Sequence, residues 1–269
     1  MHIRDLGHIA GPVWLIGGAY SNLAATRALL ARARAAGVTG GQVVCTGDML
    51  GYCAEPIEVL EEMRAAGVAV IAGNVERQLA AGAGDCGCGF DDGSTCAALS
   101  ADWYAHADAR AGPDWRRWMG ELPDWLVFTC AAGRFAVVHG AASDVARFLW
   151  PSSAAAEFAA EIALVESRLG PVDGVIAGHS GLAFERRIGR HCWINAGALG
   201  LPPHDGRPRT RYAVLEADGM RIHRLDYDHA AAARAMRAAG MAPDYARALT
   251  TGLWPGEDVL PPELRRVTC

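Results

Sequence analysis

Short apolar segments that end abruptly in glycine and polar residues recur along this chain, and they constrain its fold more than any other feature. Five of them are VWLIGGAYSN, QVVCTGDMLGY, VAVIAGNVE, FAVVHGA and GVIAGHSG. Segments of this length that are rich in Val and Ile are typical of buried strands. Helices are predicted between the first three, at about 22–36 and 56–66, and each ends in RAAG, whose glycine suits a left-handed helix cap. Alternating strands and helices predict a parallel sheet with right-handed crossovers.

The second half of the chain predicts further strands. HCWINAGAL is followed by TRYAVLEA and MRIHRLDY, which the Asp-Gly pair at 218–219 joins as a hairpin. Residues 152–169 are predicted as a helix because they follow Pro151 with a helical pattern. The segment at about 77–130 combines a Cys- and Gly-rich loop with a Trp-bearing helical region, and we interpret it as an insertion or cap on a single domain, 1–269. An α/β fold with mixed sheets accounts best for this order.

Composition and charge narrow the function classes. The net charge of -5 argues against a nucleic-acid groove, which would normally present a basic face. Neither the N-terminus nor any later stretch has the apolar length of a signal peptide or a membrane span, so we expect a cytoplasmic protein without a membrane partner. The eight cysteines are scattered unlike a disulfide framework, and we interpret most of them as reduced.

Residues with metal-coordinating chemistry follow four of the predicted strands. Asp48, Asn74, His139 and His179 each stand just after an apolar run and beside a glycine. Taken singly, each could be a helix cap or a hydrogen-bonded structural residue. In α/β sheets, however, ligands bind beyond the carboxyl ends of the strands. One carboxylate, one amide oxygen and two imidazoles at one edge would suit Mn, Fe or Zn.

These motifs resemble the calcineurin-like metallophosphoesterases, particularly small bacterial phosphodiesterases and diadenosine tetraphosphatase-like enzymes. The family order is D-x-H, G-D, G-N-H-D/E, H-G and G-H-x-H, followed by an N-P-G-S-type strand and a hairpin. This sequence has, in the same order, GAY at 18–20, GD at 47–48, GNVE at 73–76, HG at 139–140, GHSG at 178–181 and INAGALG from Ile194. The resemblance implies a four-layer α/β/β/α sandwich and metal-dependent hydrolysis.

The departures from the family pattern fall on one of its two metal ions. The residues that match the ligands of the first ion are Gly18, Tyr20, Asp48 and Gly181, of which only the bridging Asp48 is of the family type. Those that match the ligands of the second ion are Asp48, Asn74, His139 and His179, and all four are of the family type. The resemblance therefore implies one divalent or trivalent transition metal ion, Mn, Fe or Zn, with the other metal site lost.

A third departure concerns the leaving group. Val75 replaces the histidine of G-N-H, which in the family assists the leaving oxygen, and the loss of such general-acid help typically costs about 10²- to 10⁴-fold in rate. Esters with poor leaving groups are therefore unexpected substrates. The phenol of Tyr20 could compensate by donating a proton, and Arg77 or Arg207 could face an anion. We expect a divergent hydrolase of a phosphoester or a related anionic small molecule, with Asp48, His139 and Tyr20 as catalytic residues.

Two other functions remain open at this point. The chain could be a non-catalytic binding or regulatory protein on the same fold, or a mononuclear enzyme with redox or lyase chemistry in which Tyr20 or a cysteine such as Cys53 adds a ligand. Cys86, Cys88 and Cys96 could form a small zinc site, but their spacing matches no standard zinc ribbon, so we interpret them as incidental thiols of a flexible surface loop. An oligomer is compatible with the sequence.

Overall fold

Two mixed β-sheets form the centre of the protein. The computed structural model describes residues 1–266. The six-stranded sheet has the order β1-β5-β6-β7-β9-β8 and the five-stranded sheet the order β11-β10-β2-β3-β4. The strands are β1 (Ile3–His8), β2 (Val13–Ile16), β3 (Val43–Cys45), β4 (Ala69–Val70), β5 (Trp125–Cys130), β6 (Gly133–Val137), β7 (Gly174–Ala177), β8 (Ala183–Ile188), β9 (His191–Ala196), β10 (Thr210–Glu216) and β11 (Gly219–Leu225).

Helices cover both sheets on their outer faces. They are α1 (Leu23–Ala35), α2 (Pro56–Ala66), α3 (Asn74–Ala81), α4 (Thr95–Arg110), α5 (Pro113–Gly120), α6 (Ala155–Leu169), α7 (His229–Ala238) and α8 (Pro243–Thr251). None of the helices in the described chain combines the length and the apolar character that a membrane span requires.

Side-chain alternation along the strands separates three apolar layers. In β2, Val13 and Leu15 face a cluster between the sheets that also contains Phe128 of β5. The alternate residues Trp14 and Ile16 face a second cluster, to which helices α1, α2, α4, α7 and α8 contribute. A third cluster lies between the six-stranded sheet and α6. The period of two in buried strands thus produces the predicted four-layer α/β/β/α sandwich.

Several helices and the C-terminal hairpin agree with the sequence predictions. The helices predicted at about 22–36 and 56–66 are α1 and α2, and Gly37 and Gly67 after them have φ of 73° and 72°. These are left-handed conformations that glycine adopts without strain. The hairpin predicted at Asp218-Gly219 joins β10 to β11 in antiparallel register. Helix α6 begins at Ala155, three residues after the predicted start.

Three strands were not predicted, for two different reasons. Strands β1 and β8 lie at the edges of the six-stranded sheet and are rich in charged residues, so they lack the apolar runs of the buried strands. Strand β5 is apolar but stands at the end of the segment 77–130, which was interpreted as a cap. It pairs with both β1 and β6, so this end of the segment belongs to the sheet itself.

Candidate metal centre

Four loops from both sheets carry the polar residues that the sequence singled out. Asp48 follows β3 and Asn74 begins α3 after β4, while His139 and His179 follow β6 and β7. In the five-stranded sheet, β3 is parallel to β2 and to β4, and in the six-stranded sheet β7 is parallel to β6 and to β9. The carboxyl ends of these strands point to one edge of the sandwich. The structure brings all four side chains together there.

The donor atoms of the four side chains surround one point. His139 Nε2 lies 3.2 Å from Asp48 Oδ2, 3.0 Å from Asn74 Oδ1 and 3.2 Å from His179 Nδ1. Asp48, Asn74 and His139 are buried. One ligand atom from each of Asp48, His139 and His179 lies within 4.8 Å of the others.

Hydrogen bonds outside the cluster orient two of these ligands. His139 Nδ1 lies 2.5 Å from the Thr46 carbonyl oxygen, to which it donates, so Nε2 keeps its lone pair for the site. The amide nitrogen of Asn74 donates to the Cys86 carbonyl at 2.8 Å and to Cys88 Sγ at 3.3 Å, which turns Oδ1 toward the other three donors. The cysteine loop therefore supports the site through Asn74.

The charges of the cluster shift its proton affinities in opposite directions. Burial lowers the pKa of His139, but the Asp48 carboxylate outweighs burial, so this pKa lies above its ordinary value. Burial raises the pKa of Asp48, but His139 and His179 outweigh it and the pKa lies below its ordinary value. Burial and the charge of His139 lower the pKa of His179 to about 3. One carboxylate and two imidazoles in contact favour binding of positive charge between them.

This donor set fits a single transition metal ion. Tetrahedral N/O ligands at about 2.0–2.1 Å from an ion are separated by about 3.3 Å, close to the measured 3.0–3.2 Å separations from His139 Nε2. Two imidazoles, a carboxylate and an amide oxygen suit Mn, Fe or Zn. Within residues 1–266, no cysteine joins the group of Asp48, His139 and His179, which gives no support to a thiolate ligand.

Aromatic rings lie beside two of the positions that match the missing first-metal ligands. A Cβ atom on Gly18 would lie 2.2 Å from Cε1 of the Tyr20 ring. A Cβ atom on Gly181 would lie 3.5 Å from the ring of Trp254. Neither glycine offers a ligand atom to a second ion, and at Gly18 the Tyr20 ring also leaves no room for a larger side chain, whereas Trp254 is at an ordinary contact distance from position 181.

Left-handed backbone conformations mark the residues of the site. Tyr20, Asp48 and His179 have φ of 51°, 54° and 61°, which is uncommon for residues other than glycine. Such strain persists where neighbouring contacts over-determine it, and it clusters at functional sites. The Tyr20 N–H donates to the Asp48 carbonyl at 3.2 Å, so two of these three residues hold each other directly.

Two positioning residues were not identified as such from the sequence. The buried carboxylate of Glu76 accepts hydrogen bonds from the backbone N–H groups of Asp48, Met49 and Gly73 at 2.8–2.9 Å. Burial and the Asp48 charge raise the pKa of Glu76 to about 7. The amide of Asn195 donates to the Gly178 carbonyl at 2.7 Å and to Ser180 Oγ at 2.9 Å, on either side of His179. The acid in GNVE and the asparagine in INAG were the signals for these roles.

Other residues considered from the sequence lie apart from the cluster or play different parts. Arg77 pairs with Asp124 at 2.6 Å in a cavity that His139 also lines, and Arg207 lines a separate surface pocket. Cys86, Cys88 and Cys96 are buried free thiols, so the interpretation as incidental thiols of a surface loop is wrong. Cys86 and Cys88 belong to the same apolar cluster as Trp14 and Ile16, and Cys96 lies on α4. Cys53 is also buried and free, and Cys269 lies outside the described residues.

Several solved structures share this fold. A metallophosphoesterase from Sphaerobacter thermophilus is 21% identical, with a TM-score of 0.69, and the match covers 91% of this chain and 100% of that one. A hypothetical protein from Pyrococcus horikoshii OT3 is 16% identical, with a TM-score of 0.73 and the same coverage of both chains. A putative diadenosine tetraphosphatase is 17% identical, with a TM-score of 0.51, over 83% of this chain and 97% of that one.

Sequence comparison assigns the family. Comparison with curated proteins gave no match. The family model described as a calcineurin-like phosphoesterase superfamily domain matches residues 13–220. This span contains all four residues of the cluster and ten of the eleven strands in whole or in part. The chain therefore belongs to the calcineurin-like phosphoesterase superfamily.

Proposed function

We propose that this protein is a hydrolase that uses one metal ion, held by Asp48, Asn74, His139 and His179, and that it acts on a phosphoester or a related anionic small molecule. The observation that carries the proposal is the convergence of these four donors, combined with the absence of ligand atoms at Gly18 and Gly181. When bound, a Mn, Fe or Zn ion supplies a Lewis acid that polarises an oxygen and lowers the pKa of bound water.

Tyr20 is proposed as a catalytic residue beside this centre. Its side chain lines the same pocket as Asp48 and His179. Burial and the Asp48 charge raise the pKa of Tyr20 well above its ordinary value, so the phenol keeps its proton at neutral pH. A neutral phenol can donate a hydrogen bond that stabilises negative charge on an oxygen in the pocket while it keeps its own proton.

Metal analysis tests the proposed centre. Protein purified without chelators should contain about one transition metal ion per chain, and both Asp48→Ala and His139→Ala should reduce it to a small fraction. The matched control is Asp114→Ala, because the Asp114 side chain is 91% exposed and lies on α5. A wild-type protein that stays metal-free after incubation with Mn, Fe and Zn would refute the proposal.

Kinetics test the proposed role of Tyr20. Tyr20→Phe keeps the ring and removes the hydroxyl, so the metal content should not change while kcat falls about 10²-fold or more. An unchanged kcat would show that the ring only fills space.

A non-catalytic binding function is the second candidate, and one observation favours it. Val75 stands at the position of the leaving-group histidine and is fully buried in the second apolar cluster, the one that contains Trp14 and Ile16. Its backbone N–H donates to Asp48 Oδ1 at 3.3 Å. No ionisable group therefore projects from this position. Turnover of any ester in a panel of phosphomonoesters and phosphodiesters, lost in His139→Ala, would decide against this candidate. Ligand binding without turnover would favour it.

A further inference from the structure

An aromatic pocket opens directly beside the candidate metal centre. Asp48 and His179 line it together with seven aromatic side chains: Tyr20, Tyr52, Phe90, Phe148, Trp150, Tyr245 and Trp254. Leu201 and Val259 add further apolar surface. A ligand that reaches the metal-binding side chains from this pocket must therefore contact aromatic rings.

Most of these rings fall into two groups in contact. Phe148 lies against the ring of His179, with centroids 4.2 Å apart, and is parallel to Trp150 at 5.3 Å. Tyr52 contacts the ring of Tyr20 at 4.4 Å and that of Tyr245 at 4.9 Å. Rings in such contact lose little conformational entropy when a ligand binds, because packing already fixes their rotamers.

Fixed positive charge is missing from this pocket. No arginine of residues 1–266 lines it, and the sequence contains no lysine. Pockets that select a substrate by its phosphate groups alone normally present arginine or lysine. The walls therefore offer apolar contact and ring stacking to the uncharged part of a substrate.

The leaving group is constrained by the same surroundings. Val75 offers no proton at the position of the leaving-group histidine, so an ester whose alcohol needs protonation as it leaves is a poor substrate. A phenol has a pKa of about 10, far below that of an alkyl alcohol, so its oxyanion can leave without a proton from the protein.

We propose that the substrate carries an aromatic ring on the ester oxygen and that the pocket binds this ring. This inference rests on the proposed function, of which it names the substrate class: aryl phosphoesters. In the reaction, the oxygen of water bonds to phosphorus and the bond from phosphorus to the aryl oxygen breaks. The electron pair leaves with the aryloxide, which becomes a phenol by taking up a proton from solvent, while the proton lost by the attacking water goes to solvent.

Binding to metal-free protein tests the ring site without any turnover. Phenol and cyclohexanol, which differ in aromaticity but little in size, are titrated calorimetrically into chelator-treated protein. Phenol should bind about threefold or more tightly than cyclohexanol, because aromatic stacking adds to area burial. Equal affinities in the wild type would overturn the inference.

Leucine variants locate this preference. Trp254→Leu and Phe148→Leu keep apolar bulk and remove a ring of the pocket, so each should bring the ratio of the two affinities close to one. Two variants are used so that one poorly folded protein does not decide the result. The control is Trp115→Leu, since Trp115 packs against Trp118 and lies outside the pocket. A phenol preference that survives in both folded pocket variants would also overturn the inference.

Turnover separates this inference from the proposed function. Metal-loaded protein should hydrolyse phenyl phosphate at least 10²-fold faster than ethyl phosphate in kcat/KM. If neither ester is hydrolysed although phenol is preferred, the ring site stands and the hydrolase function is wrong. If both esters are hydrolysed at similar rates and phenol is not preferred, the hydrolase function stands and the aryl substrate class is wrong.

Discussion

Replacing Gly18 by alanine would test whether Tyr20 has taken over the space of the missing first-metal ligand. The new Cβ atom would lie 2.2 Å from Cε1, 2.4 Å from Cζ and 2.7 Å from Cδ1 of the Tyr20 ring. Carbon atoms normally approach to about 3.5–4.0 Å, so the ring would have to move by more than an ångström. Tyr52, whose centroid is 4.4 Å away, stands against the ring and resists such a movement.

The expected magnitude follows from this overlap. Forcing extra atoms into a packed site costs about 1–3 kcal/mol, and Gly18→Ala should reduce the free energy of unfolding by that amount. In a Tyr20→Ala background the overlap is gone. The backbone of Gly18 does not have a positive φ, so alanine there should be neutral or stabilise by about 0.4–1 kcal/mol through the unfolded state.

Urea unfolding of the four proteins of this double-mutant cycle gives the interaction energy. We expect about 2 kcal/mol of coupling between positions 18 and 20. Gly41→Ala serves as the control in both backgrounds, because a Cβ atom at Gly41 would meet nothing within 4 Å. Equal costs of Gly18→Ala with and without the Tyr20 ring would refute the argument that the ring fills the ligand's space.

Three further predictions concern the supports of the site. Glu76→Gln should destabilise the protein by about 1–3 kcal/mol in urea unfolding, because both carboxylate oxygens accept backbone N–H groups and the amide of glutamine offers only one acceptor oxygen; an unchanged stability would contradict this. Asn195→Ala should weaken metal binding about 10- to 100-fold in competition with a chelator, since it releases the turn that carries His179; unchanged affinity would count against the support. Hydrogen bonds from Arg266 and His204 hold the pKa of Glu257 at about 2, below its ordinary 4.5. Its stabilisation is therefore present above pH 4.5 and lost toward pH 2. The fluorescence of nearby Trp254 should change over this window in the wild type and not in Glu257→Gln.

The linear pattern was sufficient for the layers of the fold and for the four residues that meet in the candidate metal centre. Buried parallel strands are continuous apolar runs, so their ends are visible in sequence, and Asp48, Asn74, His139 and His179 stand at those ends. Edge strands such as β1 and β8 lack that signal because one side and one edge face solvent. The supporting roles of Glu76 and Asn195 could not be predicted from spacing, since each depends on backbone N–H or carbonyl groups of a separate loop.

The sequence by itself determined that Gly18, Tyr20 and Gly181 offer no carboxylate or imidazole to a first ion, because residue types alone decide which ligand atoms exist. Only the tertiary structure decided what stands in their place. Tyr20 approaches Gly18 from two residues away, but Trp254 reaches Gly181 across more than 70 positions of the chain, and the rings around them come from separate loops and helices. Packing of distant segments is a property of three-dimensional shape, so the aromatic pocket beside the candidate metal centre becomes visible only in the folded protein.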